Sequence, residues 1–332
     1  MSVKTRPAVK RGTIPKTMHA VAIDRSGGPE VLTMHTLPVP VPTANEVLIA
    51  VHTAEVGGWD AEIRDGWSPD GKKPRFPLVL GGGGSGTVAA VGSRVRRFQE
   101  GEPVYAYAWN YPRTGFYAEY AVVPDKSAAA VPSPLDLEHA GAVPIAGITA
   151  LQGIDDALHV KNDERVIIYG ASGGLGVFAI QFAKLRGARV LAIASGPNGV
   201  ALVRRLGADA VVDGHAGDIA HAAQEFAPEG VDAVLALAGG GTLERCIDAV
   251  RKGGRLAYPN GIEPEPKRRR GIKTTPYDGL PGRKEFERLS RAVEAARLQV
   301  PIAAEFPLAD AVHAHERLAQ GHVLGKIVLR IR

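Results

Sequence analysis

Four glycines occupy closely spaced positions in the middle of the 332-residue chain: Gly170, Gly173, Gly174 and Gly176. The apolar run at 166–169 precedes them and favours a buried parallel strand. Apolar residues at helical spacing follow, and the glycine at 187 predicts the end of a helix. In such a unit, a dinucleotide pyrophosphate can approach backbone N–H groups and the helix N-terminus. We interpret the turn as a nucleotide site; a tight turn without a ligand is the alternative. The cofactor-binding candidates here are Gly170, Ser172, Gly173, Gly174 and Leu175.

The residues after the second strand of this unit, at 190–194, bear on which nicotinamide cofactor binds. NAD-specific sites place a carboxylate there, which accepts a hydrogen bond from the ribose 2′-OH and repels a 2′-phosphate. This chain has Ser-Gly-Pro-Asn at 195–198 and no acid. Ser195 and Asn198 can donate hydrogen bonds, and Arg204 or Arg205 can supply positive charge. The pattern favours NADPH over NADH.

The elements that position these residues change character along the chain. Residues 19–143 show short alternating strands and turns, typical of a small β-barrel or sandwich. From about residue 145, strands and helices alternate, which predicts a doubly wound parallel sheet. The chain ends in a strand at 325–331. We predict an α/β fold with a Rossmann sheet inserted into a β-rich domain. The β-rich domain spans 18–145, the dinucleotide-binding domain spans 146–282, and 283–332 return to the first.

Composition limits the classes of function. The chain has 40 Lys and Arg against 35 Asp and Glu, and five of the basic residues lie within residues 1–17, which hold no acid. We expect a disordered basic tail and a body of balanced charge, which argues against a nucleic-acid enzyme. The single Cys246 excludes an internal disulfide framework. No apolar run reaches 18 residues and no secretory signal is recognisable, so we expect no membrane association and a cytoplasmic setting.

Several stretches resemble the medium-chain dehydrogenase/reductase superfamily and, within it, the zinc-independent quinone oxidoreductase group. They are Gly-Pro-Glu-Val-Leu at 28–32, Gly-Phe-Tyr-Ala-Glu-Tyr-Ala-Val-Val at 115–123, the segment 141–152, the glycine turn, Leu-Gly-Ala-Asp at 206–209 and Gly-Lys-Ile-Val-Leu at 325–329. The resemblance implies a GroES-like substrate domain, a Rossmann domain and a cleft between them for the nicotinamide and a small-molecule substrate. It places Thr149 and Lys326 beside the cofactor. Ala238 and Asn260 complete the cofactor-site candidates.

The resemblance also implies a homodimer, because relatives in this group commonly pair through an edge strand of the nucleotide domain. Residues 271–277 are the candidate strand, since Ile272, Thr274 and Thr275 suit a strand and Pro276 would end it. A mobile loop beside Arg270 is the alternative.

Departures from the family pattern bear on the chemistry. Zinc-dependent relatives place a cysteine where this chain has Gly57, and a histidine and a glutamate within the glycine run at 81–83. The histidines do not cluster at ligand spacings, so we expect no zinc. Without a Lewis acid, hydride transfer to a quinone or an α,β-unsaturated carbonyl is easier than alcohol oxidation, because the negative charge spreads over a conjugated system.

The proton donor stays open. The group usually has an asparagine at position 57 and often a tyrosine at position 62, where this chain has Gly57 and Glu62. Aromatic residues could line the pocket or form ordinary core; the pocket candidates are Trp59, Tyr107 and Tyr111. The leading hypothesis is an NADPH-dependent quinone or enone reductase. The alternatives are an alcohol or aldehyde dehydrogenase without zinc, and a nucleotide-binding protein without turnover.

Overall fold

The computed structural model describes residues 14–68, 71–108 and 115–332. Most of the predicted basic tail and the pocket candidate Tyr111 lie outside the described residues. The strands are β1 (Thr17–Ile23), β2 (Thr33–Pro38), β3 (Glu46–Val56), β4 (Leu78–Val79), β5 (Gly83–Val91), β6 (Pro103–Tyr107), β7 (Tyr120–Pro124), β8 (Ala128–Ala130), β9 (Arg165–Tyr169), β10 (Arg189–Ala194), β11 (Ala210–Asp213), β12 (Val231–Ala236), β13 (Val250–Pro259), β14 (Lys273–Tyr277), β15 (Ile302–Pro307) and β16 (Lys326–Arg330).

The described residues also form α-helices, most of which alternate with the strands in the second half of the chain. They are α1 (Gly58–Asp65), α2 (Leu137–Gly141), α3 (Pro144–Gln152), α4 (Gly176–Leu185), α5 (Gly196–Arg205), α6 (Ile219–Phe226), α7 (Leu243–Asp248), α8 (Arg283–Ala296) and α9 (Ala311–Ala319). In the described part of the chain, no helix is long and apolar enough to cross a membrane.

A parallel sheet of six strands forms the nucleotide domain, in the order β11-β10-β9-β12-β13-β14. Its central strand β9 presents Val166, Ile167 and Ile168, all with no exposed surface. Strands covered by helices on both faces need such a continuous apolar run, which is why the sequence pattern predicted this strand. The carboxyl ends of β9 and β10 lie side by side at one edge of the sheet, where α4 and α5 begin. Ligands of doubly wound sheets bind at that edge.

The β-rich domain has a sheet of seven strands, ordered β15-β16-β3-β5-β6-β8, with β7 also paired to β3. A smaller sheet, ordered β2-β1-β4, completes it. The last two strands of the chain thus join the sheet built by the first part, so the Rossmann sheet is inserted into the β-rich domain, as predicted. The predicted residue boundaries of the domains stay predictions, although β1 already begins at Thr17, one residue before the expected boundary.

Candidate functional site

The nucleotide turn lies at the carboxyl end of β9, between that strand and α4. Gly170 has a φ of 77°, a left-handed conformation that favours glycine. A Cβ at Gly176 would lie 2.4 Å from the carbonyl oxygens of Gly170 and Ala171, which excludes any side chain there. Glycine is therefore required at both ends of the turn for reasons internal to the protein.

The two middle glycines differ, because packing does not require them. A Cβ at Gly173 would meet only the Gly170 oxygen, at 3.4 Å, and a Cβ at Gly174 would come no closer than 3.4 Å to any atom. The turn thus leaves open the space that two side chains would fill, directly before the start of α4. We call this space the glycine cradle. It fits a pyrophosphate, whose oxygens accept hydrogen bonds from backbone N–H groups at a helix N-terminus. The Leu175 side chain packs on the core, so its backbone is the part that faces the cradle.

A buried ion pair adjoins the glycine cradle. Lys326 Nζ lies 2.9 Å from Glu55 Oε2, with Lys326 only 6% and Glu55 only 1% exposed. Glu55 Oε1 also accepts a hydrogen bond from the Ile145 N–H at 3.0 Å. A Cβ at Gly174 would lie 3.6 Å from Lys326 Nζ, so the ammonium group is close to any anion held in the cradle. Sequence reasoning identified Lys326 but missed Glu55, although a glutamate between Ala54 and Val56 was an available signal.

Ser195 follows β10 and lies beside the glycine turn, because its N–H donates to Ser172 Oγ at 3.2 Å. The Ser195 hydroxyl is 2.8 Å from His215 Nε2 and 2.8 Å from His322 Nδ1. The sequence analysis selected both serines and missed both histidines. They stand 20 and 127 positions from Ser195 along the chain, so no local spacing connects them.

The other two candidates after β10 lie on α5. Asn198 is exposed in the first turn of this helix, and Arg204 is exposed in its last turn. A rise of 1.5 Å per residue puts Arg204 roughly 13 Å further along the helix axis than Ser195. Of the two, Asn198 is the one at the edge of the sheet where the glycine cradle lies.

Thr149 lies on α3, close to the junction of the two domains, and is 7% exposed. Its hydroxyl donates to the Ile145 carbonyl at 2.9 Å, and its own carbonyl accepts from the Tyr277 hydroxyl at 3.1 Å. A Cβ at Gly279 would lie only 2.0 Å from Thr149 Oγ1. The loop that follows β14 therefore passes directly over Thr149, and only a residue without a side chain allows that approach.

Ala238 and Asn260 occupy different parts of the same edge. A Cβ at Gly170 would lie 3.4 Å from Ala238 Cβ, so Ala238 flanks the glycine turn. Asn260 Nδ2 donates to Asp278 Oδ1 at 2.9 Å, which holds the loop that covers Thr149. The structure thus connects Asn260 to the nicotinamide-side candidate through the loop, whereas Ala238 lies with the cradle.

Asp60 on α1 is buried, and backbone N–H groups surround it. Its Oδ2 accepts from Gly57 N at 2.9 Å, and its Oδ1 accepts from Gly81 N at 3.1 Å and from Gly82 N at 3.3 Å. Burial raises the pKa of Asp60 to about 6; the Gly57 N–H works against that rise and the Glu55 carboxylate adds to it. Among residues 14–68, 71–108 and 115–332, no three His, Cys, Asp or Glu side chains come together as a metal site.

A chain of buried hydrogen bonds ends at Asp60. Arg64 donates to His315 Nδ1 at 2.8 Å, and His315 Nε2 lies 3.0 Å from the Tyr117 hydroxyl, which bonds to Asp60. Because a guanidinium only donates, His315 Nδ1 is an acceptor, so Nε2 carries the proton and donates to Tyr117. Burial, and then the Arg64 charge, lower the pKa of His315 to about 4. Arg64, His315 and the Tyr117 hydroxyl therefore each donate in the direction of the Asp60 carboxylate.

The aromatic candidates separate into two groups. Trp59 on α1 is half-buried, with its ring centroid 5.4 Å from that of the exposed Trp67. Tyr107 ends β6 and is 2% exposed; burial raises its pKa well above the usual value, and the carboxylates of Glu55, Asp278 and Asp60 add to the rise. Tyr107 thus lies among acids of both domains. Tyr107 belongs to the same buried core as Tyr105, which packs edge-to-face on Phe286.

Comparisons with known proteins identify the relatives of this chain. The chain matches the alcohol dehydrogenase GroES-like domain family over residues 43–133 and the zinc-binding dehydrogenase family over residues 206–329. It is 31% identical to the quinone oxidoreductase of Sus scrofa over 329 residues, which cover 95% of this chain and 98% of the relative. An NAD-dependent alcohol dehydrogenase has a similar structure, with TM-score 0.87 and 31% identity, over 95% of this chain and 100% of that one. A mycobacterial protein solved in complex with NADPH gives TM-score 0.83 at 28% identity, over 95% and 100% of the two chains.

Proposed function

The chain belongs to the medium-chain dehydrogenase/reductase superfamily, in its quinone oxidoreductase-like group, and we propose that it transfers hydride from NADPH to quinones or α,β-unsaturated carbonyls without zinc. It is an NAD(P)H-dependent oxidoreductase. The proposal concerns the class of its substrates and the absence of zinc from its active site. A nucleotide-binding protein without turnover is not the function that these relatives favour.

The observation that carries the proposal is the set of donors around Asp60. The resemblance puts the zinc ligands of metal-dependent relatives at position 57 and within 81–83. In this chain these positions are glycines, and Gly57, Gly81 and Gly82 donate backbone N–H groups to the Asp60 carboxylate. An N–H group cannot bind a cation, and the Asp60 oxygens are already engaged. This arrangement supports a site that works without a Lewis acid.

The chemistry then favours conjugated acceptors. When bound, NADPH supplies the hydride. A simple carbonyl would concentrate the incoming charge on one oxygen, which metal-dependent enzymes stabilise with zinc. In a quinone or an enone the charge is delocalised, so a few hydrogen-bond donors or water suffice to stabilise it and to supply the proton. In this proposal Trp59 and Tyr107 shape the acceptor pocket and Thr149 lies on the nicotinamide side.

The residues that would hold NADPH lie at the carboxyl end of the parallel sheet, except for Lys326, which lies on β16 of the β-rich domain. The backbone of Gly173 and Gly174 would receive the pyrophosphate, Lys326 would face its charge, and Ser195 would lie at the adenosine ribose. The mycobacterial relative solved with NADPH supports this choice of cofactor. The open cradle is the structural support, since no protein atom requires its two glycines.

One assay tests the proposal. NADPH oxidation should be measured with 1,4-benzoquinone and with methyl vinyl ketone, each against a reaction without acceptor. We expect turnover with at least one of the two electrophiles. Turnover with neither, in protein that binds NADPH, would contradict the assignment of the substrate class.

A second candidate function is an alcohol dehydrogenase, which the similarity to an NAD-dependent alcohol dehydrogenase favours. It predicts reduction of NAD⁺ by a primary or secondary alcohol and little activity with either electrophile. The two functions are therefore distinguished by the direction of hydride transfer and by the acceptor.

We further propose that the protein is a homodimer. The strand β14 lies at the edge of the parallel sheet, and among the described residues no strand pairs with the outer side of its backbone. A second copy that extends the sheet through β14 would use the backbone groups of that outer side.

A further inference from the structure

Two histidines from distant parts of the chain converge on the hydroxyl of Ser195. His215 follows β11 and His322 precedes β16, and one ring nitrogen of each lies 2.8 Å from Ser195 Oγ. Their ring centroids are 5.3 Å apart, and both residues are exposed. A serine hydroxyl has one proton, so it donates to one nitrogen at most, and the other nitrogen must donate to it. The three side chains form a compact group of potential donors, which we call the histidine pair site.

The backbone is constrained at both histidines. His322 has a φ of 49°, in the left-handed region that a residue with a side chain seldom adopts. The His215 N–H donates to Asp213 Oδ1 at 3.1 Å, and the same oxygen accepts from Gly196 N at 3.1 Å. The loop after β11 is thereby fixed to the loop after β10, and His215 stays beside Ser195.

We propose that His215 and His322, together with Ser195, form a proton-dependent site for the 2′-phosphate of NADPH, so that the preference for NADPH over NADH weakens as the pH rises. The inference rests on the proposed function, in which NADPH lies along the glycine cradle. Ser195 donates its N–H to Ser172 of the glycine turn and directly follows β10. The end of this strand is where a Rossmann fold binds the adenosine ribose hydroxyls.

The fixed charges around the histidine pair site do not favour a phosphate by themselves. The loop after β11 carries Asp213, whose pKa is lowered by the N–H groups that it accepts from, and Asp218, which caps α6. From α9, Arg317 donates to the backbone carbonyls of residues 321 and 322. Two carboxylates against one guanidinium leave no positive surplus. Arg204 and Arg205 lie in the last turn of α5, roughly 13 Å along the helix axis from Ser195. The positive charge nearest to a phosphate at Ser195 Oγ would therefore come from protonated His215 and His322.

The direction of the pH effect follows from linkage. An ordinary histidine has a pKa of about 6.5, and a bound phosphate stabilises the imidazolium form, so NADPH binding takes up protons. The added affinity is fully present below the pKa of the free protein and is lost as the pH rises through the higher pKa of the complex. A phosphate monoester is mainly dianionic above about pH 6, so the informative window runs from about pH 6.5 to about pH 8.5. NADH has no 2′-phosphate and should show no such dependence.

Fluorescence titration of the full chain with NADPH and with NADH over this window, in EDTA to exclude metal binding, tests the proposal. We expect the Kd of NADPH to rise roughly tenfold across the window and that of NADH to change less than about twofold. The variants His215→Asn and His322→Asn should each weaken NADPH binding at about pH 6.5 by roughly tenfold and flatten its pH profile, because each removes a charge-assisted hydrogen bond. Asparagine tolerates the left-handed backbone at position 322.

The matched control is His159→Asn. His159 also has a left-handed backbone, with φ 50°, and is exposed, but it lies before β9, at the opposite end of that strand. It should leave both dissociation constants unchanged. A comparison of 2′,5′-ADP with 5′-ADP assigns the effect to the 2′-phosphate.

A flat NADPH profile in the wild type, or variants that keep the wild-type slope, would overturn the inference and leave the proposed reductase intact. A protein that binds NADH but not NADPH would overturn both the inference and the proposed choice of cofactor. Turnover of quinones by such a protein would still support the proposed substrate class, so the two failures can be distinguished.

Discussion

Replacing Gly174 by aspartate tests the glycine cradle most directly. In the structure, a Cβ at this position meets the Gly325 oxygen and Lys326 Cδ at 3.4 Å and Lys326 Nζ at 3.6 Å. These are ordinary van der Waals distances, so the variant should fold with near-normal stability. We therefore expect the substitution to act on the cofactor and not on the protein.

The size of the effect follows from Coulomb's law. Two like charges about 4 Å apart repel by about 4 kcal/mol at an effective dielectric constant of 20. That repulsion corresponds to a loss of affinity of about a thousandfold. Pairing of the new carboxylate with Lys326, whose ammonium group now binds Glu55, would reduce it. We expect Gly174→Asp to weaken NADPH binding by at least a hundredfold.

Two variants at the same position separate charge from volume. Gly174→Asn has the shape of the aspartate without its charge and should lose roughly tenfold, whereas Gly174→Ala should lose less. The measurement is a fluorescence titration of NADPH, with thermal unfolding of each variant as the check on folding. Wild-type affinity in Gly174→Asp would refute the placement of the pyrophosphate. Equal losses in the aspartate and asparagine variants would refute the electrostatic argument.

Prolonged EDTA treatment should leave NADPH oxidation unchanged, and elemental analysis should find less than about one zinc per ten chains; stoichiometric zinc would contradict the proposed zinc-free site. Ser195→Asp should shift kcat/KM toward NADH by roughly tenfold, because the carboxylate accepts from a 2′-OH and repels a 2′-phosphate; a wild type that already prefers NADH would disprove this interpretation of β10. Proline at both Ile272 and Thr274 should convert the dimer to a monomer in light scattering, and a monomeric wild type would refute the assembly. The pKa of His315, about 4, lies below that of an ordinary histidine, so the unfolded state binds more protons between about pH 4 and 6.5 and stability is lost on acidification. In urea denaturation, His315→Gln should therefore be less destabilising at about pH 5 than at about pH 7, by about 2 kcal/mol, and equal destabilisation would contradict this.

The sequence predicted best the elements whose burial is uniform. The strand β9 is a continuous apolar run because both its faces are covered. The helix α1 was missed for the opposite reason. Its buried residues are Asp60 and Arg64, so the face that packs inward carries no apolar periodicity.

The candidate site also has one part that the sequence predicts and one part that it does not. The glycine cradle was predictable because it is a local backbone requirement, expressed within seven consecutive residues. The histidine pair site was not, because the parallel order of β9, β10 and β11 brings His215 to Ser195, and the return of the chain to the β-rich domain brings His322. Their contact depends on topology, which no local spacing of histidines expresses.

The hydrogen-bond partners of Asp60 could not be predicted from the sequence either. Its partners are backbone N–H groups of Gly57, Gly81 and Gly82, and a sequence does not display where a backbone donor points. Metal ligands at these positions would be identified by side-chain type, whereas glycines at the same positions read only as flexible backbone. In the structure, the backbone N–H groups of these three glycines donate hydrogen bonds to the buried Asp60 carboxylate. Arg64 and His315 direct further donors toward the same group through Tyr117, so a charge that burial alone would disfavour is retained in its place.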